Sequence, residues 1–585
     1  MLEIILSEDQ QEHFNRINNN IAPYHSSILD TSTTGSGKTI IASAFSRYRN
    51  IRRIIIICNG NIQGKHWNTH GVMYDLPIVL ILTYDMLRGS SINNELNNAE
   101  LLNHGLLYKN NEDEFFVSDL FRSYVEEGLL LVVDECHLVK NDCGKTKALK
   151  ELSRYIAYRN MTQPLPLPQF KSFTLFTSMT PFDEPDHVIN FAMLCGVIRT
   201  NFYEDRANQS RSLNELYSYC NFFDPERTNS IWGTYDVDSK NIQMIIYRLI
   251  TEVFLRLMSS FVKNSDKNYL SKQTIFYAYF DVDTIGVNLM KKSLQMIRSP
   301  AKNNGSKSKK INLLFSNLQI NPIQQNVNSE INLENTELIS EFNRITCNSE
   351  PSIDNRSGVI HGMITSQTVK TYFCVLKFVR KIFTTVENSK IIIFLNYKES
   401  INIIMRELIE YNPVKITGDQ GCTEDVRNDI ISNFNEPNLN SRLLIIISQI
   451  GSDGIELDDK DGNFPRISLA FPDFYHSRFF QIPGRIHRRF TKSNSLHFLI
   501  LINSEECSEE SVFKSINNKS KVMEDTLKNF EIIPPTKYEK IINPDSYDIN
   551  ELLRNAGMTI PKNEKKEVNT SKVVKIIKTS MVKNF

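Results

Sequence analysis

Short apolar runs rich in Ile, Val and Leu recur along the first two hundred residues, most of them followed by polar or helical-looking stretches. They are SSIL near 26–29, RIIIIC at 53–58, PIVLILT at 77–83, LLLVVD at 129–134 and SFTLFTS at 172–178. An unbroken apolar run of this length is how a parallel strand buried on both faces reads. Residues 1–200 therefore predict one α/β domain. The same pattern returns in KIIIFLN at 390–396, VKITG at 414–418, RLLIIIS at 442–448, RISLAF at 466–471 and HFLILI at 497–502. Between two of these runs, NYKESINIIMRELIEY at 396–411 places Ile401, Ile404, Met405 and Leu408 at helical spacing. A second α/β domain is expected over 370–505.

The remaining stretches differ in character. Residues 201–369 read as an insertion or linker, partly helical at NIQMIIYRLITEVFLRLMSSFV (241–262). Within it, KKSLQMIRSPAKNNGSKSKK at 291–310 holds seven Lys or Arg and no acid, which predicts a basic mobile loop. Residues 506–585 form a C-terminal extension whose tail, 561–585, carries seven Lys and two Glu.

Composition narrows the classes. Apolar residues make up 41% and charged residues 23% of 585, with a formal net charge of zero. Any grip on nucleic acid must then come from local basic surfaces. Nine scattered cysteines include no CxxC pair, which argues against a zinc ribbon and for a reducing compartment. The opening MLEIILSEDQQEH is too short and acidic for a signal peptide, and no apolar run approaches the ~20 residues of a membrane span. The expectation is an intracellular, soluble protein without a membrane partner.

The sharpest chemical signal is DTSTTGSGKT at 30–39, lying between a strand and the helical IIASAFSRY. That is the context a phosphate-binding loop needs. Gly35 and Gly37 let backbone N–H groups of the Thr34–Lys38 stretch, Ser36 among them, face a phosphate chain at a helix N-terminus. Lys38 would reach the β- and γ-phosphates, and Thr39 would place its hydroxyl on Mg²⁺. The first glycine of GxxxxGK[ST] is replaced by Ser32. About a hundred residues on, LLLVVDECH ends a strand in two carboxylates. Asp134 would hold Mg²⁺ and Glu135 would act as general base on the attacking water. The spacing of Cys136, His137 and Cys143 fits no common zinc pattern.

GSGKT followed by DECH resembles motifs I and II of superfamily 2 helicases of the DExH branch. LSEDQQEH at 6–13 resembles their adenine-reading segment, with Gln10 the better match and Gln11 the fallback. RRIIIICNGNIQGKHW at 52–67 is similar to motif Ia, with Trp67 at the usual aromatic position. ILTYDMLRG at 81–89 resembles the segment that follows in Swi2/Snf2-like and poxvirus-like members. FTSMTPF at 176–182 resembles motif III, with Met179 in place of Ala between Ser178 and Thr180. KIIIFLNYKES resembles motif IV. ISQIGSDGIELDD at 447–459 resembles motif V through Gly454, and FFQIPGRIHRR at 479–489 resembles motif VI through Gln481, Gly484, Arg485 and Arg488. The wording is similar to helicase-like ATPases of large DNA viruses and linear plasmids, which would place the protein in host cytoplasm or virion.

This resemblance implies two tandem RecA-like P-loop domains, with ATP and Mg²⁺ as ligands and RNA or DNA gripped by its backbone. It implies Arg488 as an arginine finger with Arg485 beside it, and His137, Ser178 and Thr180 as links from the nucleotide to the strand groove. It leaves open a strand-separating helicase, a duplex DNA translocase, or a transcription-complex ATPase working through protein contacts.

Overall fold

The computed structural model describes residues 3–504, apart from 90–98, 162–171, 235–240, 263–270, 299–356, 474–480 and several shorter gaps, together with 536–542 and a few residues around it. Two fully parallel sheets dominate it. The expected α/β class, with two tandem sheets flanked by helices, is the observed one.

In the first half, the strands in chain order are β1 (Ser27–Asp30), β2 (Arg53–Cys58), β3 (Ile78–Thr83), three short strands β4 (Ala99–Leu101), β5 (Leu107–Asn110) and β6 (Phe115–Val117), then β7 (Leu129–Asp134), β8 (Phe173–Thr177) and β9 (Ser259–Ser260). The first sheet runs β3-β2-β7-β8-β1-β9, and β4 to β6 form a separate antiparallel ribbon. The central strands β1, β7 and β8 are buried almost throughout. Helices cover both faces because an apolar parallel strand leaves no face for water. Three of these helices shape the site: α1 (Glu8–Asn15), α2 (Lys38–Tyr48) and α3 (Asn61–Tyr74).

The second half adds β10 (Gln273–Phe280), β11 (Lys390–Leu395), β12 (Val414–Ile416), β13 (Leu443–Ile447), β14 (Arg466–Ala470), β15 (Ser495–Ile502) and β16 (Thr536–Ile542). They pair in the order β12-β13-β11-β14-β15-β10-β16. All ten strands read from the apolar runs are present, within a residue or two of their expected ends.

The expected domain boundaries need correction. Residues 206–258 do not form an insertion apart, because Leu213, Leu216, Cys220, Ile245 and Phe254 are buried in the core of the first sheet. The helix expected at 241–262 runs from Ile242 to Met258, and β9 then pairs with β1. The second domain takes β10 from before position 370 and β16 from after 505. β10 pairs with β15 over eight residues, and Phe276 stacks on Phe498 at 4.9 Å. The basic stretch at 291–310 is helical up to Arg298, within the helix Thr284–Arg298, so its first part is not loop. Its remainder and the tail 561–585 lie outside the described residues. No described helix is long and apolar enough to cross a membrane.

Phe276 is 1% exposed on β10, between β15 and the edge strand β16. Phe276→Ala is expected to destabilise the second domain by about 3–5 kcal/mol, since a buried ring leaves a cavity that its neighbours fill only in part. Urea unfolding followed by circular dichroism measures this. A cost near zero would show that β10 is dispensable to that core.

Candidate active site

The phosphate loop leaves the C-terminal edge of the first sheet, where α/β proteins place ligand sites. Asp30 closes β1, and its carboxylate accepts the Ser32 N–H at 2.9 Å. Gly35 and Gly37 both have positive φ, +79° and +98°, and Gly37 caps α2. A Cβ on Gly37 would stand 2.3 Å from Gln10 Nε2 and would displace that amide, and φ +98° itself disfavours a side chain there. Ser36 closes the turn by donating its hydroxyl to the Thr33 carbonyl at 2.7 Å. Lys38 donates its ammonium to the carbonyls of Ser32 (2.9 Å) and Thr33 (3.1 Å), which points the charge into the loop. Thr39 follows on the first turn of α2. Thr34 lies outside the described residues.

Helix α1 holds this loop from one side. Ser7 and Gln10 form a reciprocal capping box at its start. Gln10 also donates Nε2–H to the Ser36 carbonyl at 2.8 Å. One turn on, His13 Nε2 stands 3.2 Å from Asp30, and both side chains are fully buried. Burial alone would raise the Asp30 pKa; His13, then Lys38 and the Ser32 side chain, overcome it and hold the carboxyl ionised. Gln11 faces outward and donates to Asn15.

Asp134 and Glu135 follow β7. Asp134 Oδ2 accepts from Trp67 Nε1 at 3.0 Å, and Oδ1 accepts from Thr177 Oγ1 at 2.8 Å. Tyr84 donates to the Asp134 carbonyl at 2.7 Å. Burial, then the neighbouring Glu135 charge, raises the Asp134 pKa despite these donors. A carboxylate and a hydroxyl, as at Asp134 and Thr39, are oxygen donors of the kind Mg²⁺ takes. Among the described residues, no group of three or more acidic, His or Cys side chains is poised to bind a metal by itself.

Glu135 sits in the left-handed region at φ 57°, ψ 52°. A non-glycine residue held there marks a site where the surroundings dictate the backbone. Its carboxylate is 3.2 Å from His137 Nδ1, which also stands 3.2 Å from Ser178 Oγ. Ser178 Oγ in turn accepts the Thr180 N–H at 3.2 Å. His137, Ser178 and Thr180 thus form one chain running from Glu135.

The second domain reaches into the same place. Gln481 donates to Glu135 at 3.3 Å. The aliphatic part of Arg488 lies along the phosphate loop, 3.5 Å from where a Gly35 Cβ would be. Its guanidinium donates to Glu456 at 2.7 Å and to the Ile455 carbonyl at 3.1 Å, while Nε is buried with no partner among the described residues. Arg485 is buried beside it, and its charge acts on Glu135. Gly484 lies in the same short helix, Pro483–Ile486. Gly454 lies outside the described residues.

Several contributors were not read from the sequence as site residues. Trp67 was noted only as an aromatic position, yet it grips Asp134. Thr177 and Glu456 carried no signal of their own. His13 was visible in principle, since it lies three residues after Gln10 and so shares a helix face with it.

Burial pushes the Glu135 pKa up, but His137, Lys38 and Arg485 outweigh it and hold it at about 2. Being depressed, this group contributes stability that is complete above its ordinary value near 4.5 and lost as pH falls toward about 2. Glu135 therefore stays a carboxylate from pH 5 to 9 and contributes no acid limb to turnover there. A kcat–pH profile of Glu135→Asp and the parent protein checks this. An acid limb near pH 6 that moves with this substitution would contradict it.

Residues 374–489 match the helicase conserved C-terminal domain. The chain is also 24% identical, over 510 residues, to a protein of Acanthamoeba polyphaga mimivirus named "Putative ATP-dependent RNA helicase". That alignment covers 84% of this chain and 78% of the viral protein.

Proposed function

We propose that this chain is an ATP-hydrolysing motor of the helicase type, in the DExH branch of superfamily 2, that moves along or unwinds a polynucleotide. The observation that carries the reading is the joining of two halves of one site. Gln481 bonds Glu135 and Arg488 lies on Gly35, so a segment matched by the helicase C-terminal model meets the phosphate loop and the paired carboxylates.

The residues divide the chemistry as follows. Gln10 stands at the loop edge to read adenine. The backbone N–H groups from Gly35 to Thr39 and the Lys38 ammonium bind the β- and γ-phosphoryl oxygens. Thr39 and Asp134 are the residues that would hold Mg²⁺, which would supply positive charge to offset that of the phosphate chain. Glu135 takes a proton from the attacking water as the bond from its oxygen to the γ-phosphorus forms. The bond to the bridging oxygen breaks on the far side, and the charge stays on the leaving diphosphate. Arg488 and Arg485 stabilise charge developing on the transferred group, provided Arg488 turns from Glu456. The chain Glu135–His137–Ser178–Thr180 carries the state of the site toward the strand groove. Phosphates and sugars, not base edges, are the contacts expected in that groove.

Lys38→Ala is expected to abolish hydrolysis. Glu135→Gln is expected to bind ATP while losing at least about a hundredfold in turnover. Arg488→Ala is expected to lower kcat by about a thousandfold with ATP affinity little changed. Steady-state kinetics and equilibrium ATP binding measure both quantities; equal losses in each for Arg488→Ala would make its role structural. The track is found by measuring ATPase rate alone and with single-stranded RNA, single-stranded DNA and duplex DNA. The name of the mimivirus relative puts RNA first. Stimulation by duplex alone would identify a translocase, and no stimulation by any of them would overturn the motor reading.

A further inference from the structure

Residues 455–459 of the second domain lie beside the arginine-bearing segment, and each of the five is bonded to it. Ile455 and Glu456 accept from the Arg488 guanidinium. Leu457 N–H donates to the Arg485 carbonyl at 3.0 Å, and the Asp459 carbonyl accepts the Lys492 N–H at 2.9 Å. Asp458 acts through Thr491. This strip is itself anchored to the domain beneath it. Arg466, 2% exposed on β14, donates Nε–H to the Leu457 carbonyl at 3.0 Å. Asn435 donates Nδ2–H to the Glu456 carbonyl at 2.9 Å.

Thr491 and Asp458 are both buried, and together they seat the backbone of Arg488. Thr491 Oγ1 accepts the Arg488 N–H at 2.7 Å, and Thr491 N–H donates to the Arg488 carbonyl at 3.1 Å. One residue thus holds both polar backbone groups of the arginine. A hydroxyl that accepts a bond still has one proton to place. Thr491 places it on Asp458 Oδ2 at 3.2 Å, in a buried contact. That bond fixes the hydroxyl rotor, and with it the lone pair that meets the Arg488 N–H. The seat matters because the Arg488 side chain starts there and runs along the phosphate loop, 3.5 Å from where a Gly35 Cβ would be. A misplacement of about 1 Å in a group acting on the reacting atoms costs up to about a hundredfold in rate.

We propose that Thr491 and Asp458 are positioning residues for Arg488. The Asp458 carboxylate orients the Thr491 hydroxyl, and the hydroxyl seats the Arg488 backbone so that its side chain lies along the phosphate loop. Their effect on hydrolysis passes through Arg488 alone. The inference rests on the reading of Arg488 as the group that stabilises the transferred phosphoryl, and not on the identity of any polynucleotide.

The test compares Thr491→Val, which keeps the branched shape without the hydroxyl, with Thr491→Ser, which keeps the hydroxyl. Both are made in the full chain and again on an Arg488→Ala background. Thermal unfolding verifies that each variant folds, and Asp458→Ala, which frees the Thr491 hydroxyl, decides the matter if Thr491→Val does not. Basal kcat and the KM for ATP are measured first, then the same quantities with the polynucleotide panel. Thr491→Val is expected to lose about three- to tenfold in kcat, the worth of one buried hydrogen bond, with KM within about twofold. Asp458→Ala is expected to fall in the same direction, and Thr491→Ser to stay within about twofold of the parent. On the Arg488→Ala background neither Thr491→Val nor Asp458→Ala is expected to lower kcat further, because the residue they position is gone. Losses that multiply with that of Arg488→Ala would overturn the proposal. So would an unchanged kcat in Thr491→Val, a serine variant as slow as the valine, or a loss confined to KM. Failure of the site reading shows elsewhere: parental kcat in Arg488→Ala, or no hydrolysis by the parent, overturns that reading and the proposal together. If the parent hydrolyses ATP but responds to no polynucleotide, the motor reading fails while basal kcat still decides the positioning.

Discussion

The register of β1 between β8 and β9 is the constraint on which the site depends. It sets Asp30 level with Thr177 on one side and Ser260 on the other. The next pairing sets Thr177 level with Asp134. Four polar residues therefore form one row across the C-terminal edge of a sheet that is otherwise apolar. Because side chains alternate with a period of two, a slip of one residue would turn this row to the wrong faces. The apolar strands thus do more than bury area. Their packing fixes where the polar ends of the strands stand, to within the length of a hydrogen bond.

Given that row, the local environment sorts three neighbouring carboxylates into different states. Asp30 lies deepest, and His13 and Lys38 keep it charged although burial opposes this. Glu135 is held low by His137, Lys38 and Arg485. Asp134 has neutral donors, Trp67 and Thr177, and a like charge beside it, so its pKa is raised. A carboxylate in that condition gains most from an added cation, whereas one already neutralised gains least. Adjacent carboxylates of the same chemical kind thus differ in ionisation because of their surroundings, not because of residue type.

Much of this was legible in the sequence, and the limits have physical causes. The strands β2, β7, β11, β13 and β15 announce themselves because a strand buried on both faces cannot alternate. β9 is two serines, and its strand character comes only from pairing with β1. β10, QTIFYAYF, mixes aromatic and polar positions, and β16, TKYEKII, is half charged because it lies at the sheet edge, where one side meets solvent. Both also lie far in sequence from the strand they pair with or flank, so no local pattern places them in the second sheet. The chemistry followed a similar rule. Gly35, Lys38, Asp134 and Glu135 are tied together by spacing along the chain and were visible. Trp67, Thr177 and Glu456 act through contacts that exist only once the sheets have formed.

A site divided between two sheets makes its own closure part of the reaction. The first sheet carries the loop, Asp134 and Glu135, and the second carries Arg485 and Arg488. In this structure Arg488 already lies against the loop while its guanidinium is held by Glu456 and the Ile455 carbonyl within its own domain. The lobes are thus in contact, and yet the last charge is not delivered. For the Arg488 guanidinium to face the loop it must leave this carboxylate. Such a step is sensitive to small displacements of the segment from Pro483 to Thr491, since a hydrogen bond weakens steeply once its angle is lost. The ion pair to Glu456 and the bond to the Ile455 carbonyl therefore compete with any anion in the loop for the same guanidinium.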